Sequence, residues 1–307
     1  MRGRERGQTG KGRRAVRREW SVPLLSLNGV AVLLLAAFSV FPLLYVCYLS
    51  VVDLRAGQAV GSFVGLDNYR FVLENDSTII AFRNTLYFST LTVIVATLIG
   101  AAIAFVTSTE AWFARLLLPA AILPWAVPEV VNALMWKWIF DFHWGALNAV
   151  LHGLGLIEDH RAWFSEGTSA MHALILAYAW KLVPFVVITL YAALKSIPTD
   201  VIEAARVDGA GEFALFWRIR LPLIIPALAV SVLLCVIFSM RAFDLIYLLT
   251  RGGPGEATTV LSYHVYTSTF EFGDVGSGAS ISVFLAVVTM AVTLAYWWIF
   301  NKLEREQ

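Results

Sequence analysis

Apolar residues occur along this chain in six long runs, which are separated by shorter stretches rich in charged, glycine and aromatic residues. Each run holds roughly twenty residues or more with few charges, the length that an α-helix needs to cross a bilayer. The pattern therefore predicts an all-α polytopic membrane protein with about six transmembrane helices. The predicted spans are 24–52, 86–106, 116–140, 170–193, 223–250 and 279–300.

Composition agrees with a membrane location. The 307 residues are 59% hydrophobic and 15% charged, whereas soluble domains are about half apolar and about a quarter charged. The two cysteines, Cys47 and Cys235, both lie inside apolar runs. They are therefore predicted to be packing residues rather than parts of a disulfide framework or a zinc site. The net charge of +1 gives no indication of nucleic-acid binding.

The first part of the chain, 1–19, is a basic tail that holds eight lysine and arginine residues. Because it directly precedes an apolar run, we expect it to act as a cytoplasmic topology anchor. The predicted domains are this tail and a transmembrane domain over 20–307, whose core covers about 80–302.

The positions of lysine and arginine also predict the orientation of the later spans. With the amino terminus inside, the cytoplasmic loops and the carboxyl-terminal tail hold seven further basic residues, and the external loops hold only five. Basic residues concentrate on the cytoplasmic side of membrane proteins. Both termini and the loop between the fourth and fifth spans are therefore predicted to be cytoplasmic.

That loop, 196–222, has a distinctive spacing. The residues Glu203, Ala204 and Ala205 are followed after three positions by Gly209, and after nine more by I-x-L-P. The pattern predicts a short helix, a turn at the glycine, which adopts positive φ at little cost, and a second short helix that Pro222 closes. Considered without its spacing, the segment could also be an amphipathic helix that lies flat on the lipid headgroups.

The spacing resembles the E-A-A loop of binding-protein-dependent ABC importer permeases at every position that defines the loop. This resemblance implies the type I importer permease fold, in which the loop is a coupling helix docked in a groove of the ATPase subunit. It also implies that Glu203 pairs with a basic residue of the ATPase and that Gly209 allows the turn to fit the groove. The implied ATPase-coupling residues are Glu203, Ala204, Ala205, Asp208, Gly209, Ile219, Leu221 and Pro222.

Two further stretches extend the resemblance to the carbohydrate-type permeases. They are RAFDLIYLLTRGGP at 241–254 and LPWAVPEVVNALMWKWIF at 123–140. The likeness covers roughly 24–302 and is to the permeases of the maltose, lactose, trehalose and glycerol-3-phosphate importers. It implies import of a mono- or oligosaccharide. The maltose permease has extra amino-terminal helices and a large external insertion that this chain does not show. We therefore expect one of the shorter permeases, for another sugar or for glycerol phosphate.

The resemblance also implies a set of partners in a prokaryotic cell (inner) membrane. They are a second homologous permease subunit, an ABC ATPase dimer and an extracytoplasmic solute-binding protein. ATP and magnesium would bind to the ATPases, and this chain would bind no cofactor directly. The sequence holds no G-x-S-x-G or H-E-x-x-H motif, and its histidines lack metal-ligand spacing. We therefore expect a transport subunit that is not an enzyme, with no catalytic and no metal-binding residues.

Charged and polar residues inside the apolar spans are candidates for the substrate pathway, because such residues are costly unless they face a cavity or a partner. Glu129, Asn132 and Trp136 share one face of a helix. An acid, an amide and an indole suit a sugar, since polar groups bind the hydroxyls and the ring covers the apolar face. The alternative is a structural ion pair between Glu129 and Lys181 or Arg241.

A second candidate group, Arg241, Asp244 and Tyr247, follows at a spacing of three near the end of the predicted fifth helix. Its alternative role is a Tyr–Asp hydrogen bond that stiffens the helix end. The full set of substrate-pathway candidates is Glu129, Asn132, Trp136, Lys181, Arg241, Asp244 and Tyr247.

Two alternative functions remain open at this point. A glycerol-3-phosphate or glycerophosphodiester ABC importer would need a basic anchor for phosphate, and Lys181 or Arg241 could serve. An ion-coupled secondary transporter would show an inverted repeat and coupling residues at the midplane. No such repeat is evident, and this second alternative leaves the E-A-A spacing unexplained.

Overall fold

The computed structural model describes residues 22–109 and 112–305, with side chains described for 29–109 and 112–302. The backbone forms a unit that ends at Tyr45 and a larger unit, Val46–Gln307. Within the described residues the named secondary-structure elements are helices, apart from a two-stranded antiparallel hairpin of β1 (Val52–Asp53) and β2 (Ser62–Phe63). The predicted basic tail 1–19 lies outside the described residues.

The helices of the amino-terminal half include two long ones. A π-helical turn, Ala36–Val40, joins the first two helices. In chain order the helices are α1 (Val22–Leu35), α2 (Phe41–Leu49), α3 (Asp67–Glu74), α4 (Asp76–Thr107), α5 (Ala114–Ala126), α6 (Glu129–Ile139) and α7 (Ala146–Gly153).

The helices of the carboxyl-terminal half include three long ones. π-Helical turns at Phe216–Arg220 and Thr267–Glu271 follow α10 and α13. The helices are α8 (Gly167–Lys195), α9 (Thr199–Val207), α10 (Glu212–Leu215), α11 (Leu221–Met240), α12 (Asp244–Leu249), α13 (Leu261–Tyr266) and α14 (Val275–Arg305).

The prediction of an all-α polytopic protein with about six spans is confirmed. The described part contains five helices long and apolar enough to cross a membrane, and one bent pair that could form a sixth span. The five are Gly29–Leu49, Asp76–Thr107, Gly167–Lys195, Glu212–Met240 and Val275–Lys302, and the pair is α5 with α6.

The predicted third span, 116–140, is not one straight helix. The axes of α5 and α6 differ in direction by 108°. Pro128 explains the position of the break, because the residue before a proline is driven out of the helical region. Accordingly, Val127 is extended, with φ −77° and ψ 124°, and α5 ends one residue earlier.

The predicted fifth span was wrong at both ends. Pro222 does not close a separate short helix, because the chain is helical without interruption from Glu212 to Met240. Proline crowds the carbonyl four residues earlier and has no amide hydrogen. The π-helical turn before it absorbs this misfit, since the Leu221 amide bonds to the carbonyl of Phe216, five residues earlier.

At its other end the fifth span stops ten residues before the predicted boundary at Thr250. No glycine or proline marks this stop. Side chains of other helices satisfy the released carbonyls instead: Tyr178 donates to Phe238 at 3.0 Å, and the Ser262 hydroxyl donates to the carbonyl of Ala242. A separate short helix, α12, begins after the stop.

Helix α8 is the centre of the larger unit. Buried residues make up 61% of its most apolar window, compared with 33% in α4 and 22% in α14. The small residues Ala96, Gly100 and Ala104 of α4 allow α8 to approach closely, as is common between membrane helices. A β-carbon on Gly100 would lie 2.5 Å from the Cβ of Val186. This close packing fixes α8 as the scaffold on which the other helices are positioned.

Candidate functional site

Two helix breaks meet α8 near its midpoint. One lies between α5 and α6, and the other between α11 and α12. Lys181 is the fifteenth of the 29 residues of α8, so both breaks lie near the middle of a span. We use the name break site for residues 127–129, Tyr178, Lys181 and 238–244. Broken helices at mid-depth expose backbone groups and are typical of transport pathways.

Lys181 holds the first break. Its Nζ lies 2.8 Å from Oε1 of Glu129 and donates a hydrogen bond to the carbonyl of Val127 at 2.8 Å. The lysine side chain is 12% exposed and the glutamate side chain 39% exposed. The lysine therefore pairs with the first acid of α6 and also satisfies a backbone oxygen at the bend. The ion pair that the sequence left as one alternative is present.

Tyr178 holds the second break through its hydrogen bond to the carbonyl of Phe238, close to the end of α11. A further hydrogen bond of 2.6 Å joins Ser89 of α4 to Ser239. Tyr178 and Lys181 lie three residues apart, so they share one face of α8. A single helix face therefore holds both breaks.

The sequence interpretation missed Tyr178. The available signal was its spacing of three residues from Lys181 inside an apolar span, the same spacing that drew attention to the other candidates. Tyr178 lies three residues from Lys181, which pairs with Glu129, and its hydroxyl binds the carbonyl of Phe238, three residues before Arg241. The tyrosine is therefore where candidates from different helices converge.

Glu129, Asn132 and Trp136 lie on one helix, α6, as expected from their spacing. Their polar atoms are unusual: Oε2 of Glu129, both amide atoms of Asn132 and Nε1 of Trp136 are buried without a hydrogen-bond partner in the described part of the chain. Asn132 is fully buried, and Trp136 stacks on Phe140 with ring centroids 5.2 Å apart. Buried polar groups without partners are costly and rare. The two inner residues face the core of the subunit in this conformation.

Arg241, Asp244 and Tyr247 do not lie along one continuous helix. Arg241 caps the end of α11 and Asp244 begins α12, and both side chains are exposed. Among the described residues, Asp244 and Tyr247 form no hydrogen bond with each other; the tyrosine ring stacks on Phe243, with centroids 5.5 Å apart. The break therefore presents one cation and one anion outward.

The E-A-A segment, 196–222, is largely exposed, in contrast to the buried Asn132 and Trp136 of α6. Its first helix, α9, has no buried residue, and Glu203 is exposed and forms neither an ion pair nor a hydrogen bond with any described residue. Gly209 has φ +86°, and the amide of Ala210 bonds to the carbonyl of Ala205 at 2.9 Å. This is the left-handed turn at which a helix commonly ends on glycine.

Ion pairs across the turn fix the shape of the E-A-A segment. Glu212 accepts Arg206 at 2.7 Å and Arg220 at 3.4 Å. Surface ion pairs of this kind add little stability, but here they hold α9 beside the start of the following helix. The E-A-A segment is therefore folded, while the side chain of Glu203 has no ion-pair partner among the described residues.

Large apolar side chains on the E-A-A segment are exposed. Val207 is 87% exposed, Phe213 79% and Trp217 53%. The ring centroids of Phe213 and Trp217 lie 6.2 Å apart, so these two form one exposed apolar group. Large exposed apolar side chains of this kind indicate a protein or membrane interaction surface. A separate groove of 270 Å³ has Glu203 and Lys195 in its lining.

The sequence of this chain is similar to a protein family and to named transport system permease proteins. The model described as "Binding-protein-dependent transport system inner membrane component" matches residues 96–306. The trehalose/maltose transport system permease protein MalF of Thermococcus litoralis is 36% identical over 234 residues, which are 76% of this chain and 78% of that protein. The sulfoquinovosyl glycerol transport system permease protein SmoG of Agrobacterium fabrum is 32% identical over 270 residues, 87% of this chain and 86% of that protein.

Among solved structures, one chain of a bacterial ABC transporter involved in import of the acidic polysaccharide alginate has the same fold. Its TM-score is 0.79 at 22% identity, over 94% of this chain and 97% of that chain. The likeness confirms the predicted arrangement of helices.

Proposed function

The chain belongs to the family of binding-protein-dependent transport system inner membrane components, and from this premise we propose that it is the permease subunit of an ABC importer for a sugar or sugar-like solute. It is a multi-pass membrane protein and a transport subunit. With a second, homologous permease it forms the translocation pathway. A solute-binding protein delivers the substrate from outside, and two ATPase subunits bind ATP and magnesium.

Both termini and the E-A-A segment face the cytoplasm in this proposal. The support is the concentration of lysine and arginine in the tail and in the loops on that side. The segment connects the end of α8 to the beginning of α11. It therefore lies at the same end of two spans, where an ATPase subunit could reach it.

The observation that carries the proposal is the state of the E-A-A segment. It is fully formed, yet Glu203 has no partner among the described residues, and Phe213 and Trp217 lie exposed beside it. In the assembled importer Glu203 pairs with a basic residue of the ATPase, and the apolar side chains enter the docking groove. Closure of the ATPases on ATP then moves the segment as a rigid body.

One uninterrupted helix transmits this movement to the pathway. The helix from Glu212 to Met240 begins in the E-A-A segment and ends at the break site. Its 29 residues span roughly 43 Å at 1.5 Å per residue. The hydroxyl of Tyr178 binds the carbonyl of Phe238 near the Met240 end of this helix. Displacement of the Glu212 end therefore strains this hydrogen bond. Two arrangements of the break correspond to the inward-facing and outward-facing states.

Sugar contacts in this proposal come from the break site and from the helices α6 and α12 that follow its two breaks. Glu129, Asp244 and Tyr247 supply polar groups and an aromatic ring for hydroxyls and for the apolar face of a sugar. The unpaired polar atoms of Asn132 and Trp136 become available when α6 moves away from the core. Lys181 acts mainly as the residue that holds the bend.

A glycerol-3-phosphate or phosphodiester importer is the second candidate. The exposed guanidinium of Arg241 has no acidic partner within 4 Å among the described residues and could bind phosphate in bidentate fashion. Lys181 is less suited, because Glu129 already neutralises it. An ion-coupled secondary transporter does not agree with the family to which the chain belongs.

The test of the proposed function is a mild-detergent purification of the tagged protein from its native membrane, with mass spectrometry of the chains that accompany it. The expected result is an ATPase with a phosphate-binding loop and a second E-A-A permease. The recovered solute-binding protein is then screened against neutral sugars and glycerol phosphates, which separates the two candidates. Recovery of the permease alone, under conditions that preserve other membrane complexes, would contradict the proposal.

A further inference from the structure

A groove of 230 Å³ lies where the ends of three helices meet, those of α4, α5 and α8. Its lining includes Thr109, Arg115, Tyr191 and Lys195. We propose that this groove binds the phosphate headgroup of an anionic membrane lipid. The groove is separate from the break site, and its occupant is part of the surrounding bilayer rather than the transported solute.

The charges of the groove suit an anion. Arg115 and Lys195 are the only charged residues among its described lining, and both are cations. Neither forms an ion pair or hydrogen bond with any described residue. Two like charges in one groove repel each other, and a phosphate between them converts the repulsion into two charge-assisted contacts.

One hydroxyl group of the groove, that of Tyr191, is available to bind a phosphate oxygen. Thr107 and Thr109 already donate to backbone carbonyls of α4. Tyr191 has no hydrogen-bond partner in the described part of the chain and so keeps a free donor. A guanidinium, an ammonium and a phenol are the donor types that bind phosphate oxygens.

The residues just before the groove indicate that it lies at the level of the lipid headgroups. Trp112 is 77% exposed, Phe113 43% and Leu116 69%. Tryptophan and neighbouring apolar side chains with this exposure are typical of a membrane–water interface. Basic residues at that level attract anionic lipids of the cytoplasmic leaflet. A soluble anion would gain no binding energy from these exposed apolar side chains.

The ordinary explanations account for each cation separately. A lysine in the last turn of a helix offsets the helix dipole, and an arginine in a cytoplasmic loop sets topology. Neither explains why both side chains line one groove with a free phenol. Lys195 also lines the neighbouring groove that contains Glu203. A bound headgroup therefore lies next to the E-A-A segment. The assignment of this lipid to the cytoplasmic leaflet rests on the orientation given under the proposed function, whereas the binding itself does not.

Lipid retention by the full-length protein, purified with its accompanying subunits and stripped of lipid, tests the proposal. The protein is incubated with phosphatidylglycerol, phosphatidylcholine or inorganic phosphate, and bound molecules are counted by native mass spectrometry. For the double variant Arg115→Gln/Lys195→Gln we expect phosphatidylglycerol retention to fall about tenfold. The charge-preserving variant Arg115→Lys/Lys195→Arg should retain the lipid.

The matched control is Arg218→Gln/Lys302→Gln, which removes two positive charges that do not line the groove. It should retain phosphatidylglycerol as the parent does, and size-exclusion profiles show whether every variant folds. Equal losses in the control and the groove variant, or no loss in the groove variant, would overturn the proposal. So would competition by inorganic phosphate as strong as that by the lipid, because the occupant would then be a soluble anion.

Discussion

Lys181 at the break site and Glu203 in the E-A-A segment use their charges in opposite ways. At the break site, the side chain of Lys181 is 12% exposed, and it forms an ion pair with Glu129 and donates a hydrogen bond to the carbonyl of Val127. In the E-A-A segment, Glu203 is exposed and has no partner among the described residues. The first arrangement maintains the shape of this subunit, and the second leaves Glu203 available for the partner subunit that we propose.

This difference follows from where each charge lies. A charge inside a membrane span must have a partner or face a water-filled cavity, because lipid offers no solvation. Removing one member of a buried pair leaves the other uncompensated. A charge on a polar loop needs no partner, since water solvates it at little cost. Stability should therefore depend on the break site and energy coupling on the E-A-A segment.

The largest effect on stability should come from Lys181→Met. The substitution leaves the Glu129 carboxylate and the Val127 carbonyl without their donor, and we expect a loss of about 2–4 kcal/mol, below the range for a fully buried pair because Glu129 is partly exposed. Thermal unfolding in detergent measures it. Combining it with Glu129→Leu should restore part of the loss. A double variant at least as unstable as Lys181→Met would contradict the internal role of the pair.

A smaller effect is expected from Tyr178→Phe, which removes one hydrogen bond, to the carbonyl of Phe238. The expected loss of stability is about 1 kcal/mol, accompanied by altered transport because the far end of the long helix is released. Tyr296→Phe is the matched control, since Tyr296 also donates to a backbone carbonyl, that of Ala229, at 3.0 Å, but away from the breaks. If both variants changed transport equally, the break would have no special part in it.

The smallest effect concerns His264, another polar group that is satisfied inside the chain, by a 3.1 Å contact with Thr78 Oγ1. Burial lowers the pKa of His264 below its usual 6.5, although the charge of Glu256 acts in the opposite direction. The unfolded chain therefore takes up a proton first, and stability should decrease as the pH falls below about 6.5. Thermal unfolding from pH 8 to pH 5 measures the slope, and His264→Gln should flatten it. An unchanged slope in the variant would assign the pH dependence to other groups.

The sequence was sufficient for the class of fold and for the first helix and the turn of the E-A-A segment, because these depend on local signals. Long apolar runs are set by the thickness of the bilayer, and the turn at Gly209 by the left-handed conformation that glycine favours. Pro128 also marked the position of the bend between α5 and α6, although not its angle of 108°.

The break after Met240 could not be predicted, because no local residue causes it. It depends on donors that are distant in sequence, Tyr178 and Ser262, which satisfy the carbonyls at the end of α11. The pairing of Glu129 with Lys181 instead of Arg241 likewise required the packing of α8. Contacts between helices, rather than patterns within them, decide these features.

The central claim is that Glu203 serves a partner subunit and contributes nothing to this one. Its most direct test compares Glu203→Lys with the parent importer in sealed vesicles, measuring ATP-driven solute uptake together with thermal stability. The account predicts unchanged membrane insertion and unfolding temperature, with uptake abolished because the ATPase no longer docks. Normal uptake by Glu203→Lys would contradict the claim, as would a loss of uptake explained entirely by an unfolded permease.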